Sequence, residues 1–389
     1  MGFSIPYGKQ FISPEDADAV VQALHSDFLT QGPKIAEFEK NFAEYIGCKY
    51  AVAVSNGTAA LHLALLSFGI KAGDRIITTP ITFAASANAA LYCGAEVFFV
   101  DIDKQTYVIS VEGVKQLLKK YPKGHFKAIV PVDFAGYPVN LEEIHVLAKE
   151  YGLFVLEDAC HSPGGYFIDS KNTKQNCGSC NYADAAVFSF HPVKHIAAGE
   201  GGMITTNSEV LYKKLLLLRT HGITKENMLL NFPEPEKQGA WFYEMQELGF
   251  NYRITDIQAA LANSQLKRAN NGIERREEIA NRYRKAFQNT SIKFQEQNSN
   301  HFNAYHLFVI EVNDRKGLYY YLKSNGIYAQ VHYIPVHLMP YYKQLGWREG
   351  DFPVAENYYK GCISLPMYPA LKDEEQEYVI DTIKKFYGI

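Results

Sequence analysis

One lysine stands where a solubilising charge has little use. Residues 186–202 read A-V-F-S-F-H-P-V-K-H-I-A-A-G-E-G-G. Lys194 follows a strand-like apolar run and a His-Pro turn, and small residues and Gly-Glu-Gly-Gly come after it. A lone lysine in a turn is usually a surface residue, and burying an ammonium is costly unless it is neutralised or bonded. Covalent attachment to a carbonyl group removes that charge, and the released amine can then serve as general base and acid.

Other polar residues fall at the ends of apolar strands. Asp158 ends L-F-V-L-E-D and could pair with a protonated ring nitrogen, keeping that ring an electron sink; the alternative is a capping or turn aspartate. His161, three residues on, could orient Asp158 or support a ligand oxygen, or simply fill space. Ser55-Asn56-Gly57-Thr58 closes another strand and opens an Ala/Leu-rich helix, where Gly57 admits close backbone approach and first-turn N–H groups favour a phosphate. A plain helix cap by Ser55 or Asn56 reads the same residues equally well. The G-x-x-x-x-G-K-[ST] pattern is absent, and no G-x-G-x-x-G follows an early strand, which disfavours a nicotinamide oxidoreductase. The Cys177-x-x-Cys180 pair sits in a turn with no second pair nearby, so no metal site is expected.

These residues need a scaffold, and the sequence supplies a pattern for one. Strands are expected at Ala51–Ser55, Arg75–Thr79, Glu96–Asp101, Ala128–Asp133, Leu153–Asp158, Ala185–Phe190 and Gly202–Thr206. Helical stretches alternate with them after Thr58, around Phe83–Tyr92, after Ser110 and around Leu141–Tyr151. Such alternation indicates an α/β sheet covered on both faces, with ligands collecting beyond the strands' C-terminal ends. Ser13, Pro14 and Asp16 announce a first helix. A long charged helix is expected from about Thr255 to Phe287, followed by a smaller α+β unit with strands near His306–Val312 and Tyr328–His332 and a closing helix from Asp373.

The bulk properties are those of a soluble globular protein. The 389 residues exceed one comfortable hydrophobic core, so two subdomains are expected. A net charge of −3 argues against nucleic acid or anionic membrane as partner. No apolar run approaches the ~20 residues that span a bilayer. The start lacks a signal peptide, and Pro6 breaks the Met-Gly myristoylation pattern. A cytoplasmic enzyme is the simplest reading.

Taken together, S-N-G-T-A-A-L, T-T-P-I-T-F-A-A-S-A-N-A-A-L-Y-C-G-A, L-E-D-A-C-H-S-P-G, F-S-F-H-P-V-K-H-I-A-A-G-E-G-G and G-F-N-Y-R-I-T-D-I-Q-A-A-L resemble the fold-type I pyridoxal-phosphate (PLP) aminotransferases that act on nucleotide sugars. The resemblance spans nearly the whole chain. V-D-F-A-G-Y-P-V and Q-V-H-Y-I-P-V-H-L-M-P-Y-Y-K-Q-L-G-W look most like the branch of pseudaminic acid biosynthesis, which aminates C4 of a UDP-linked 2-acetamido-2,6-dideoxy-4-ketohexose with L-glutamate as donor and 2-oxoglutarate as by-product.

What the resemblance implies can be stated residue by residue. The fold is a three-layer large domain with a mixed, mostly parallel sheet over residues 1–254, N-terminal arm included. Residues 255–389 form a connecting helix and a small α+β domain. Lys194 is the catalytic, cofactor-bearing lysine and Asp158 the carboxylate on the pyridine nitrogen. Gly57, Thr58 and Ser189 hold the phosphate. Phe83 stacks on the ring, although its surroundings alone suggest a core phenylalanine, and His161 contacts the cofactor. Asn251 reaches the phosphate of a partner subunit, making a homodimer with shared sites. Tyr7, Asp27, Phe28, Leu29, Thr30, His332, Tyr333 and His337 line the sugar-nucleotide pocket. Apart from the resemblance, Arg253 beside Asn251 is one candidate for the donor carboxylate because arginine can bind it bidentately, against a structural ion pair. The chain departs from the pattern at Ala197-Ala198, where relatives carry two threonines. PLP sugar dehydratases on this scaffold replace the lysine by histidine, and inactive relatives lose the lysine or the aspartate; Lys194 and Asp158 are both present.

Overall fold

The computed structural model describes residues 4–225, 234 and 237–389. Met1 and Gly2, read above against a myristoylation signal, lie outside them.

Seven strands form the central sheet, in the order Tyr50–Val54, Gly202–Thr206, Ala185–Ser189, Phe154–Asp158, Ala128–Ile129, Arg75–Thr78, Glu96–Phe99. The last five run parallel, and Gly202–Thr206 is antiparallel to both its neighbours. Parallel strands buried on both faces read as continuous apolar runs, which is how Tyr50–Val54 and Ala185–Ser189 look. Gly202 has a steric reason: a Cβ there would lie 2.4 Å from the Asn56 carbonyl oxygen, so only glycine lets this strand cross the opening of the next helix.

The expected strands appear within a residue or two, with two exceptions. The expected strand Tyr328–His332 is instead Ile327–Tyr328, followed only by an isolated Gln330–Ser364 bridge. The run Ala128–Asp133 is a regular strand only at Ala128–Ile129; Pro131 has no N–H to give, and pairing continues as single contacts, the Val130 N–H to the Ile77 carbonyl and a Val132–Asp158 bridge, before the turn Phe134–Gly136, where Ala135 takes φ 64°. The first helix, Pro14–Leu24, has the expected cap: Ser13 and Asp16 form a reciprocal capping box. The charged helix is two helices, Asp256–Leu266 and Ala269–Phe287, broken at Lys267-Arg268. The helix Pro33–Ile46 was not expected. It buries Ile35, Phe38, Phe42 and Ile46 and ends at Gly47 in the left-handed conformation, a standard C-terminal stop.

A second apolar core gathers Ile279, Tyr283 and Phe287 against Phe308, Ile310, Ile363, Val379 and Ile383. Its sheet pairs Phe308–Glu311 with Lys293–Phe294 and Cys362–Leu365, all antiparallel. The N-terminal strand Ile5–Pro6 joins this region by pairing in parallel with Ile327–Tyr328. No helix among the described residues is long and apolar enough to cross a membrane.

Candidate active site

A cavity of about 700 Å³ opens where the C-terminal ends of the strands Tyr50–Val54, Ala185–Ser189 and Phe154–Asp158 converge. Lys194, Asp158, His161, Ser189, Gly57, Thr58, Phe83, Tyr7, His332 and Tyr333 all line it.

Asp158 is 5 % exposed and held from two sides. Ser86 Oγ donates to its Oδ2 at 2.6 Å, and the Cys160 N–H reaches Oδ1 at 3.3 Å. Thr82 Oγ1 lies 2.7 Å from Ser86 Oγ, so one hydroxyl steers the other. Ser86 lies in the first turn of the helix Ala84–Tyr92 and Thr82 in the loop just before its cap Phe83, so the chain entering the helix brings both hydroxyls toward Asp158. Sequence reasoning missed this pair; its signal was two hydroxyl residues flanking the start of an alanine-rich helix.

Lys194 projects from the turn after the strand Ala185–Ser189, its N–H bonded to the His191 carbonyl at 2.8 Å. Its amine has no hydrogen-bond partner among the described residues. Burial pulls the amine below the ordinary lysine range; Cys160 and Asp158 push it back and Arg276 adds to the depression. A more readily neutral amine is a better nucleophile toward a carbonyl carbon.

The opposite end suits a phosphate. Asn56 caps the helix Gly57–Ser67 through its side chain and Ala59 N–H. That leaves the N–H groups of Gly57 and Thr58 with no acceptor inside the helix. A Cβ on Gly57 would sit 3.0 Å from Ser189 Cβ, so the glycine brings the Ser189 hydroxyl up to the helix start. Phosphate groups, a ring nitrogen and a carbonyl carbon could thus be met at once by Gly57–Thr58–Ser189, Asp158 and Lys194, which fits PLP.

Neutral rings fill the wall between. His161 Nδ1 accepts from the Ala135 N–H at 3.3 Å, which leaves Nε2–H facing the Tyr333 hydroxyl at 3.3 Å. His306 packs on His161 with ring centres 4.3 Å apart. Burial first, then Lys194, pushes both imidazoles well below their ordinary range. His332 is held down to about 3 for the same reasons. Burial also raises the Tyr333 and Tyr7 phenols. Phe83 is 63 % exposed and lies at the mouth beside Tyr333, ring centres 6.3 Å apart, so the core reading of Phe83 is corrected. His306, Cys160 and Tyr252 also line the cavity and were not singled out from sequence.

Other candidates lie elsewhere. His337 is fully buried, with Nε2 2.9 Å from Glu356 Oε1, and does not reach the cavity; the expectation that it lines the pocket is corrected. Asp27, Phe28, Leu29 and Thr30 are exposed and outside this chain's cavity. They lie beside the segment that carries Asn251: Thr30 bridges Thr255, and the Asp256 N–H donates to the Leu29 carbonyl. Asn251 is exposed too, and Arg253 is half-buried. Ala197 and Ala198 are buried.

Cys177 and Cys180 are buried free thiols. Cys177 stands with Asp133 and Glu157, whose polar atoms all lie within 4.8 Å of one another. Glu157 precedes Asp158 on one strand, so it points to the sheet's other face. Asp133 accepts from Ser162 Oγ at 2.6 Å and the Val139 N–H at 2.8 Å, and Glu157 Oε2 from the Gly178 N–H at 2.8 Å. Burial raises both carboxyls, Glu157 the further because Asp133 stands beside it. Glu157 Oε1 has no protein donor, which is the expected result if that oxygen carries the proton given to Asp133.

Comparison with known proteins places this geometry. Residues 10–384 match the DegT/DnrJ/EryC1/StrS aminotransferase family. The chain is 40% identical over 391 residues to the spore coat polysaccharide biosynthesis protein SpsC of Bacillus subtilis, covering 98% of this chain and 96% of that one. It is 37% identical over 385 residues to the UDP-4-amino-4,6-dideoxy-N-acetyl-beta-L-altrosamine transaminase of Campylobacter jejuni, covering 97% and 96%. Among solved structures, the sugar aminotransferase Spr1654 of Streptococcus pneumoniae in its PMP-form superposes with a TM-score of 0.89 at 27% identity, covering 98% and 97%.

Proposed function

Because the chain belongs to the DegT/DnrJ/EryC1/StrS aminotransferase family, we propose that it moves the amino group of L-glutamate to C4 of a UDP-linked 2-acetamido-2,6-dideoxy-4-ketohexose, in pseudaminic acid or related sugar biosynthesis. It is a PLP-dependent fold-type I aminotransferase. The observation that carries the reading is the convergence of Lys194, Asp158 and the Gly57–Thr58–Ser189 end in one cavity.

Bound there, PLP supplies an electron sink for the charge left at the carbon that loses or gains the amino group. Asp158, fixed by Ser86, holds a proton on the ring nitrogen. Gly57, Thr58 and Ser189 anchor the phosphate. Lys194 would hold the cofactor and, once its amine is free, would take up and return the proton at the amino-bearing carbon, a role its depressed basicity favours. Tyr7, His332 and Tyr333 meet the sugar; their neutral state leaves Lys194 and Asp158 as the charges that govern the reacting centre. The exposed positions of Asn251 and Asp27–Thr30, outside their own chain's cavity, support a homodimer in which they serve the partner's site.

The similarity to the altrosamine transaminase supports the UDP-linked 4-amino product. The 40% identity to a spore coat polysaccharide protein supports a second reading, the same transfer to a different nucleotide-linked keto sugar. Incubating the PLP-loaded protein with L-glutamate and a panel of nucleotide-linked 4-keto sugars, with mass spectrometry of the products, decides between them. Amination of the UDP-linked 2-acetamido sugar alone selects the first reading. No aminated product from any member would overturn both.

A further inference from the structure

A second cavity, about 300 Å³, lies behind Lys194 and is built for an anion. Its lining includes Lys9, Lys194, Arg268, Arg275 and Arg276 and no carboxylate-bearing residue. Two of these cations are answered nearby, Arg268 by Asp16 and Arg275 by Asp373 and Glu278. The others are not. Arg276 is 2 % exposed, and its Nη1 is spent on the carbonyl oxygens of Tyr305, His306 and Met367, with no acid in contact. Its Nε, like that of Arg268, is buried without an acceptor. Lys9 is exposed and has no partner among the described residues.

A buried guanidinium without a counter-ion is costly, and so is a buried N–H without an acceptor. Both costs fall if an anion enters. We propose that this cavity binds a phosphoryl anion, either the diphosphate of a nucleotide-linked sugar or free inorganic phosphate. The cations approach from three segments (the N-terminal arm, the Lys267-Arg268 break and the helix Ala269–Phe287), an arrangement that suits several oxygens spread in space better than one flat carboxylate. His195 fits the same occupant. Its Nε2 bonds the Ala304 carbonyl at 2.7 Å, so Nδ1 is a bare acceptor for a water or for the hydroxyl of a monohydrogen phosphate. Gly272 keeps the space open: a Cβ there meets nothing nearer than Pro369 Cγ at 3.6 Å, although glycine is a poor helix former.

The test is calorimetric titration of PLP-saturated protein with pyrophosphate, the cofactor filling its own phosphate position. Binding to wild type, weakened about tenfold or more in Lys9→Glu and again in Gly272→Leu, supports the site. Displacement of pyrophosphate by UDP, with a raised KM for the nucleotide sugar but not for glutamate in Lys9→Glu, assigns the cavity to the substrate's diphosphate. Pyrophosphate binding indifferent to UDP, with both KM values unchanged, assigns it to free phosphate. No pyrophosphate binding by wild type, or equal binding by wild type and both folded variants, overturns the proposal. These titrations read binding alone, so their failure would leave the transamination reading untouched.

Discussion

Substituting Glu157→Gln tests whether the two carboxyls behind Asp158 share a proton. If they do, Glu157 donates to Asp133 from Oε1 while Oε2 accepts from the Gly178 N–H. A glutamine keeps the shape and both bonds, its amide donating to Asp133 and its carbonyl accepting from Gly178. What it removes is ionisation. Both carboxyls are raised by burial, so between the unfolded carboxylate range and the native one the folded protein holds more protons than the unfolded chain. The stabilising contribution is therefore complete below about pH 4 and is lost as pH rises through the native values. Each retained proton imposes a slope of about 1.4 kcal/mol per pH unit while that difference lasts. Glutamine deletes the Glu157 slope. The variant should match wild type near pH 5 and melt increasingly above it as pH rises, by roughly 2 °C for each kcal/mol. The assay is thermal unfolding with saturating PLP at one scan rate from pH 5 to 9, read as the difference between the two proteins. A difference that stays flat with pH, or a Gln variant as unstable as Glu157→Ala throughout, would refute the shared proton.

Three further outcomes are expected. Ser86→Ala removes a charge-assisted hydrogen bond to Asp158, of order 1.5–3 kcal/mol, and should lower kcat about tenfold with little change in KM for glutamate; Ser86→Thr should restore most of it, and unchanged kcat in the alanine variant would show that Ser86 does not position Asp158. Asp158→Asn should retain some cofactor by absorbance and lose most turnover, because asparagine does not keep the ring nitrogen protonated; near-normal turnover would reduce Asp158 to a turn residue. Mixing Lys194→Ala with Asn251→Ala, each inactive alone, should restore activity once subunits exchange, since one site of the mixed dimer then has both native residues. Demonstrated exchange without recovery would mean that each chain builds its own site.

The legible parts of the sequence were those where one local rule decides. Ser13-Pro14-x-Asp16 fixes a helix start, and the continuous β-branched runs fix the buried strands, Gly202–Thr206 to the residue. Asp158 and Lys194 stood out because charge at the end of an apolar run needs a reason. What was not legible depends on contacts between distant segments. Nothing local tells His337, buried on Glu356, from His332 five residues earlier on the cavity wall. Phe83 has a core-like sequence environment and an exposed position, because the helix it caps opens at the cavity mouth. The helix Pro33–Ile46 had clear signals, with proline at its start, glycine after its end and apolar residues three and four apart, and these were overlooked rather than missing.

The short parallel ladder between Ile5–Pro6 and Ile327–Tyr328 has a mechanical consequence. Tyr7 follows one strand directly and His332 follows the other by four residues, and their rings lie 5.3 Å apart. The Met367 N–H adds a bond to the Tyr7 carbonyl at 2.9 Å. The beginning of the chain is thus fastened to the second core, while Lys194 and Asp158 belong to the first sheet. The segment of His332 is also held to the first core, where the Tyr358 hydroxyl donates to the His332 carbonyl at 2.7 Å, so the cavity wall made by Tyr7 and His332 is pinned from both cores at once. A change at either core therefore reaches the same wall, while Lys194 and Asp158 keep their places at the strand ends.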